Sequence, residues 1–479
     1  MLTLLLIVCA LVFLIFVAFL WLLIAGADES RRWDKNKSEE DKHNQNKYQN
    51  NREILVERKK LRIWFLNQNS YMPEDGPHIR HYALSKYLAR DGYEPYVFAA
   101  NELHHNGRRI DTGNADYVER ISEGVHFYYI KTTHYEKNNY RRGLNILSYY
   151  RNIFKVTKEI ADKYGPPDVI YASSMYPTAL VAGIKLAKKY GVKCICEHRD
   201  IIPDGFITKG TFKENGLIAK AARLFMKGTY EKADAIVFTM EGGPQYLIDQ
   251  KLDTGHGGKV DMSRVFYINN GVDLEQSRSD ARIHVLEDTD LDNPDVFKVV
   301  YLGAIRFLNK MPLFVDAARE LKKKGRDDIK ILMWGTGTKL DKMREQLITE
   351  GLDNIVLKGY VDKKFIPGIA KRADLFIGTG NSSIMKYGMS FNKLFDYLAA
   401  GKPIILPFKV GNSIVEGNQA GVEMEDADGK SLAAEILKFA DMDKFEYEGY
   451  CTRSSSLAEV FSYEKLTGQV EDVLSQLSV

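Results

Sequence analysis

The sequence predicts an α/β protein with two doubly wound, Rossmann-like domains facing a cleft, preceded by one N-terminal transmembrane helix. Three observations carry that expectation. Short apolar runs alternate with segments of helical period in two separate series. Between the series, around residues 275–295, the composition turns acidic and loses its apolar period. The chain also opens on a long uncharged apolar run.

That opening run comes first in the chain. No charged side chain occurs in residues 1–27, and residues 2–25 are apolar except for Thr3. At about 1.5 Å per residue this is long enough for a hydrocarbon core of ~30 Å. A signal peptide would show a basic start and a small-residue cleavage site, and neither is evident, so a retained anchor over 1–27 is expected. Arg31, Arg32, Lys35 and Lys37 follow it, which by the positive-inside rule predicts the bulk of the chain in the cytoplasm. Residues 28–60 are almost wholly polar and read as a tether.

The first α/β series opens with a strand at 61–66 and a helix at about 78–90, where Ile79, Tyr82, Ala83, Tyr87 and Leu88 fall at helical spacing. A strand at 96–99 completes a βαβ unit, with Pro95 at its entrance, where a missing N–H is tolerated. A strand at 168–172, a helix at 177–190 and strands at 192–197, 235–239 and 265–268 continue it, the last ending in the turn Asn269–Asn270–Gly271. The second series has strands at 297–302, 329–334, 355–358, 375–378 and 403–407, with helices at 312–324 and 392–400. Gly401 and Pro403 mark where that last helix stops. The expected organisation is an N-terminal domain over 61–285, a C-terminal domain over 296–455, and a terminal helix over 456–479 returning to the first domain. In such a pair the ligand cleft faces the carboxyl ends of both sheets.

Composition narrows the function. A net charge of +3 over 479 residues is too small to make nucleic acid the main partner. The four cysteines form neither a disulfide framework nor a metal-ligand spacing; Cys194 and Cys196 alternate as buried strand thiols would. A reducing compartment follows.

The stretch YGMSFNKLFDYLAAGKP, residues 387–403, is the richest in chemistry. A loop holding Gly388 runs into a helix whose first-turn amides, at Met389, Ser390, Phe391 and Asn392, favour a phosphate or diphosphate. Lys393 adds charge, and Asp396 lies one turn on, placed to accept hydrogen bonds from ribose hydroxyls. The same spacing also describes an ordinary loop-to-helix junction with a solvated Lys and Asp.

This stretch resembles the donor-binding signature of retaining glycosyltransferases of family 4, which have the two-domain GT-B fold. It is most similar to the bacterial surface-polysaccharide branch that includes N-acetylfucosamine-type transferases. The family motif has two glutamates separated by seven residues; Asp396 takes the second position and Gly388 the first. The resemblance extends over about 61–479. YLGAIRFLNKMPLFVDAA (301–318) is similar to the segment opening the second domain, which implies diphosphate-binding roles for Arg306 and Lys310. WGTGTKL (334–340) looks like the glycine loop beside the nucleobase, with Gly335 and Gly337. The loop after the first strand resembles the family's, with Gly76 where close approach of the donor or acceptor is required and Arg80 in the following helix. CEHRDIIPD (196–204) is similar to the E-x-R-D-x-x-P segment, and implies that Glu197, His198, Arg199 and Asp200 lie near the acceptor or sugar. Asp200 is the candidate for touching the reacting group.

The resemblance implies transfer with retention from a nucleotide sugar, a UDP-sugar by analogy, to a membrane-associated, lipid-linked saccharide acceptor in polysaccharide biosynthesis. The site is then at the bacterial inner membrane. The leaving diphosphate itself takes the acceptor's proton, so no strong protein base is required. No essential metal is expected: Asp288, Asp290, Asp292, Asp426 and Asp428 sit in acidic loops that read as solvated. Two basic, amphipathic stretches, 135–155 and 209–228, are candidates for facing anionic headgroups or for packing on the core. The competing readings are a nucleotide-sugar 2-epimerase of the same fold, active without acceptor, and a catalytically degenerate scaffold. A Rossmann dehydrogenase is disfavoured, because no G-x-G-x-x-G follows the first strand.

Overall fold

The computed structural model describes residues 61–479 except 104–106, 137–138, 209, 306–310, 338–339, 381, 384 and 426. The expected anchor and tether therefore lie outside the described residues. No described helix is long and apolar enough to cross a membrane.

The strands are β1 (Arg62–Leu66), β2 (Glu94–Ala100), β3 (Glu102–Leu103), β4 (Arg108–Arg109), β5 (Tyr117–Ser122), β6 (Val125–Ile130), β7 (Val169–Ser174), β8 (Lys193–His198), β9 (Ala235–Phe238), β10 (Val265–Tyr267), β11 (Phe297–Leu302), β12 (Ile329–Trp334), β13 (Ile355–Gly359), β14 (Leu375–Ile377), β15 (Ile404–Leu406) and β16 (Gly421–Glu423). The α-helices are α1 (Arg80–Arg90), α2 (Tyr140–Tyr164), α3 (Pro177–Tyr190), α4 (Asp204–Thr208), α5 (Leu217–Lys232), α6 (Gly243–Asp249), α7 (Leu274–Ile283), α8 (Pro312–Lys323), α9 (Leu340–Thr349), α10 (Ile366–Lys371), α11 (Asn392–Ala400), α12 (Gly429–Ala440), α13 (Lys444–Val460) and α14 (Tyr463–Gln476).

The chain divides into two compact units. Among the described residues, the first comprises 61–237, 252–266 and 471–479, and the second 238–251 and 267–470. The division thus crosses the chain several times, whereas the sequence placed one boundary after residue 285 and a return to the first domain at 456. Helix α7, in the stretch read as a linker, is part of the second unit and packs on α10. Its helical period was invisible because Leu274 is its single buried residue.

The first unit is built on an eight-stranded sheet ordered β10-β9-β8-β7-β1-β2-β6-β5. Strand β1 pairs in parallel with β2 on one side and β7 on the other, so the connection reverses between β1 and β7. Both central strands are fully buried, which is why they read as continuous apolar runs rather than alternating ones. The β5–β6 hairpin adds an antiparallel edge. Cys194 and Cys196 are buried and free on β8.

The second unit carries a six-stranded sheet ordered β13-β12-β11-β14-β15-β16, and every pair is parallel. Its reversal lies between β11 and β14. Phe314, Leu321, Ile331, Met333 and Ile436 belong to the core that helices α8 and α12 form over one face. A crevice outside the carboxyl ends of strands at such a reversal is where open parallel sheets bind ligands.

Candidate functional site

Helix α11 enters the carboxyl end of the second sheet at its reversal, and its own side chains fix it there. Leu394, Phe395, Tyr397 and Leu398 are buried. The Tyr397 ring stacks on Phe376 of β14 at 4.0 Å between centroids, and its hydroxyl accepts from the Leu302 amide at 2.9 Å. The helix start is thus tied to the ends of both β11 and β14.

The opposite face presents the polar groups. Lys393 Nζ donates to Tyr301 Oη at 3.3 Å and Thr379 Oγ1 at 3.4 Å, and lies 4.7 Å from the centre of the Tyr301 ring. Among the described residues no carboxylate pairs with it. Gly303, just beyond β11, has φ +147°, and a Cβ there would stand 2.9 Å from the ammonium and 3.2 Å from Tyr301 Oη. A side chain at 303 would therefore fill the space the lysine occupies.

The loop before α11 is held by its carbonyls. Asn269 Nδ2 donates to Met389 O at 3.2 Å and Asn270 Nδ2 to Ser390 O at 2.7 Å. Among the described residues, the amides of Met389, Ser390, Phe391, Asn392 and Lys393 donate to no protein group. With carbonyls clamped on one side, undirected N–H groups at a helix start and an uncompensated ammonium beside them, the arrangement suits an anion of phosphate or diphosphate type. Asp396, one turn on, is partly exposed, and loss of water pushes its carboxyl up against the pull of Lys363.

Two glycosyltransferase families match stretches of the chain. Residues 296–441 match the glycosyl transferases group 1 family, and residues 76–276 match glycosyltransferase family 4. The two matches lie on successive stretches of a chain with the two-sheet GT-B fold. Among solved structures it is similar to sucrose-phosphate synthase from Thermosynechococcus elongatus, at 16% identity and TM-score 0.62 over 88% of this chain and 99% of that one. HepE from Anabaena, in complex with UDP and glucose, is similar at 15% identity and TM-score 0.58, over 87% and 99%. A trehalose-6-phosphate protein from E. coli, bound with UDP-2-fluoro glucose, shows 13% identity and TM-score 0.61 over 86% and 98%. At these identities the likeness is one of fold. No curated protein matches the sequence.

The other candidates of the second unit are placed as follows. Arg306 and Lys310 lie outside the described residues. Gly335 and Gly337 are explained by backbone packing: a Cβ would meet Gly303 O at 1.8 Å and Ile305 O at 1.9 Å. The β11 and β12 loops are also laced together by Gly303 N to Trp334 O and Ile305 N to Thr336 O, both 2.9 Å. These glycines shape the floor beneath Lys393. Gly388 has φ +106°, and a Cβ there would approach the Glu241 amide to 3.2 Å. The loop is therefore built around a glycine, and a glutamate in this position would carry backbone strain.

The first unit separates its candidates. Arg80 of α1 and Glu197 of β8 are sealed in the core. Arg80 Nε and Nη2 reach Glu197 Oε2 at 2.8 and 2.7 Å, His81 Nε2 lies 3.1 Å from Oε1, and the hydroxyls of Tyr171 and Ser173 donate at 2.9 and 2.6 Å. Burial alone would raise the Glu197 carboxyl, but Arg80, His81 and Arg199 outweigh it and hold it well below the usual range. Arg80 and Glu197 bind one another, because Glu197 turns inward at the end of a buried strand. His198 is buried with its ring 4.3 Å from that of Tyr230, and burial pushes it down to about 3, so it is neutral at physiological pH. Arg199 is half-buried, its amide donating to Ser174 Oγ at 3.1 Å. Asp200 is exposed just beyond β8. Gly76 admits the Tyr71 ring, which would stand 2.7 Å from a Cβ, so its close approach is to this chain's own tyrosine.

Of the acidic loop residues, Asp292 and Asp428 are exposed as expected, whereas Asp288 and Asp290 are half-buried in ion pairs. Lys358 pairs with Asp288 at 2.7 Å and Asp290 at 2.6 Å, Lys330 with Asp290 at 2.6 Å, and Arg372 with Asp292 at 2.6 Å. Asp428 caps α12, and Asp426 lies outside the described residues. Sequence reasoning missed Gly303, Thr379, Asn269 and Asn270. The turn at 269–271 was visible, but its grip on residues 389 and 390 is made across about 120 positions.

Proposed function

We propose that this transferase moves a sugar from a UDP-sugar to a membrane-associated, lipid-linked saccharide with retention of configuration, in bacterial surface polysaccharide biosynthesis. One observation carries the reading: the Lys393 ammonium stands without a carboxylate partner among the described residues, beside the open amides of residues 389–393, at the carboxyl ends of β11 and β14. The complexes of HepE with UDP and glucose and of the E. coli protein with UDP-2-fluoro glucose support a nucleotide-sugar donor.

As the glycosidic bond to the donor breaks, positive charge builds on the sugar and negative charge on the departing diphosphate. Lys393 and the clamped amides stabilise the second charge without rearranging. Arg306 and Lys310 add to it on the sequence expectation. Asp396 accepts from ribose hydroxyls, and the diphosphate takes the acceptor's proton. Asp200 orients the acceptor or the reacting sugar and need not act as a base. No metal ion is required by this scheme, and the anchor over residues 1–27 holds the protein at the inner membrane.

The test is thermal stabilisation of the detergent-solubilised full chain by a panel of nucleotides and nucleotide sugars. A ligand at a hundredfold its Kd stabilises the fold by about 2.7 kcal/mol. A selective response to one UDP-sugar, followed by acceptor-dependent UDP release, is the expected result. Turnover of the sugar nucleotide with no acceptor present identifies an epimerase instead, and a panel with no stabilising ligand sinks the donor site.

A further inference from the structure

Helix α5 has two apolar faces. Ala219, Ala222, Met226, Thr229 and Tyr230 bury one in the first unit. Leu217 and Leu224 stand on the other, 79% and 72% exposed, and their seven-residue spacing puts them on one stripe. Lys220 and Lys227 share that stripe, and Lys213 is exposed just ahead of the helix. The preceding α4 turn brings Phe206, also exposed, with its ring 5.3 Å from Phe212. Arg223 of α5 fastens that turn by reaching Asp204 at 3.1 Å.

Basic residues are in excess on this surface. Residues 209–228 hold Lys209, Lys213, Lys220, Arg223 and Lys227 against the single acid Glu214. Lys227 lies 3.7 Å from Glu231; among the described residues Lys213 and Lys220 have no acidic partner. Exposed leucines regularly interleaved with lysines serve neither solubility nor this unit's own core, and suit the boundary between anionic headgroups and acyl chains.

We infer that α5 and the α4 turn lie on an anionic bilayer surface, with Leu217, Leu224 and Phe206 entering the headgroup boundary and Lys213, Lys220 and Lys227 meeting lipid phosphates. Two things favour a bilayer over a protein occupant: the excess of basic residues, and the uncharged apolar run at residues 2–25 of the same chain. The inference rests on the reading of a lipid-linked acceptor and deepens it. The α4 turn opens at Asp204, a few residues after Asp200, so the surface that would receive the acceptor's lipid lies close in sequence to the residue proposed to orient its saccharide.

The experiment uses the full chain with Cys9→Ser and Cys451→Ser, leaving the buried Cys194 and Cys196. It is reconstituted into phosphatidylcholine vesicles with or without phosphatidylglycerol. A polarity-sensitive fluorophore is placed at Leu217→Cys or Leu224→Cys, with Ile348→Cys, 81% exposed on α9, as reference. The expected result is a blue-shifted, several-fold brighter label at 217 and 224 in the anionic vesicles alone, water-like emission at 348, and loss of the shift with Lys213→Glu, Lys220→Glu and Lys227→Glu combined. Spectra at 217 and 224 matching that at 348 overturn the inference, as does a shift that depends on protein concentration without lipid, which would mark a contact between copies. UDP affinity is measured on the same samples. An unshifted label with intact UDP binding removes the membrane contact alone, and a shifted label without UDP binding removes the transferase reading alone.

Discussion

Glu197 and Asp396 are both carboxylates that the sequence assigned to ligand binding, and their surroundings are opposite. Glu197 collects Arg80, His81, Tyr171 and Ser173 around two oxygens, and its carboxyl is held well below its ordinary range. Asp396 accepts no hydrogen bond among the described residues, and its carboxyl is pushed up. A carboxylate whose lone pairs are already filled holds the protein together. One left short of donors at the end of a sheet has acceptor capacity for something the chain does not supply.

The sharpest way to break this contrast is Glu197→Ala. Removing the acid leaves Arg80 buried and unpaired, and the expected loss of stability is about 3–5 kcal/mol, read by chemical denaturation. Replacing both partners with apolar residues, Arg80→Met with Glu197→Leu, should recover most of it. The pH dependence has a definite sign. Because the folded pKa of Glu197 is depressed, its contribution is present above the unfolded value of about 4.3 and is lost as pH falls through the folded one. A Glu197→Ala protein with wild-type stability would place the network outside the core's energetics.

Lys393→Ala tests the other side. It removes a cation that no described carboxylate needs, so stability should barely change. Affinity for UDP should fall by about 1.5–3 kcal/mol, roughly tenfold to a hundredfold in Kd by titration calorimetry. A melting temperature that drops with unchanged Kd would make Lys393 a structural residue.

How far the sequence could see follows from the same contrast. Elements with an uninterrupted apolar period were legible to the residue, as at Pro177–Tyr190, Phe297–Leu302, Ile329–Trp334 and Asn392–Ala400. The hairpin β5–β6 was not, since β5 is only half-buried and its sequence YVERIS has no clean alternation. Lys393 was singled out because a helix start is a local signal. The pairing of Arg80 with Glu197 was invisible because the partners stand 117 positions apart; nothing local marks a carboxylate that faces an arginine. Thr379 and Gly303 were missed for the same reason, as their meaning comes from the ammonium that arrives from α11.

Asp396→Asn carries the smallest effect and the most pointed one. The folded pKa of Asp396 is raised, so its ionised form is the disfavoured one. That cost is complete above the folded value and fades as pH falls through it toward the unfolded value of about 3.9. The amide avoids the cost, so at pH 7 the variant should equal or exceed the wild type in stability, by less than about 1 kcal/mol given the residue's partial exposure. The advantage should vanish near pH 4. UDP should bind more weakly at pH 7, because the amide gives up an acceptor oxygen for donors that ribose hydroxyls need less. Paired denaturation curves at the two pH values, with UDP titrations at the higher one, read both effects. Lower stability at pH 7 would mean that the Asp396 carboxylate already serves the fold as Glu197 does, and the contrast between the two acids would disappear.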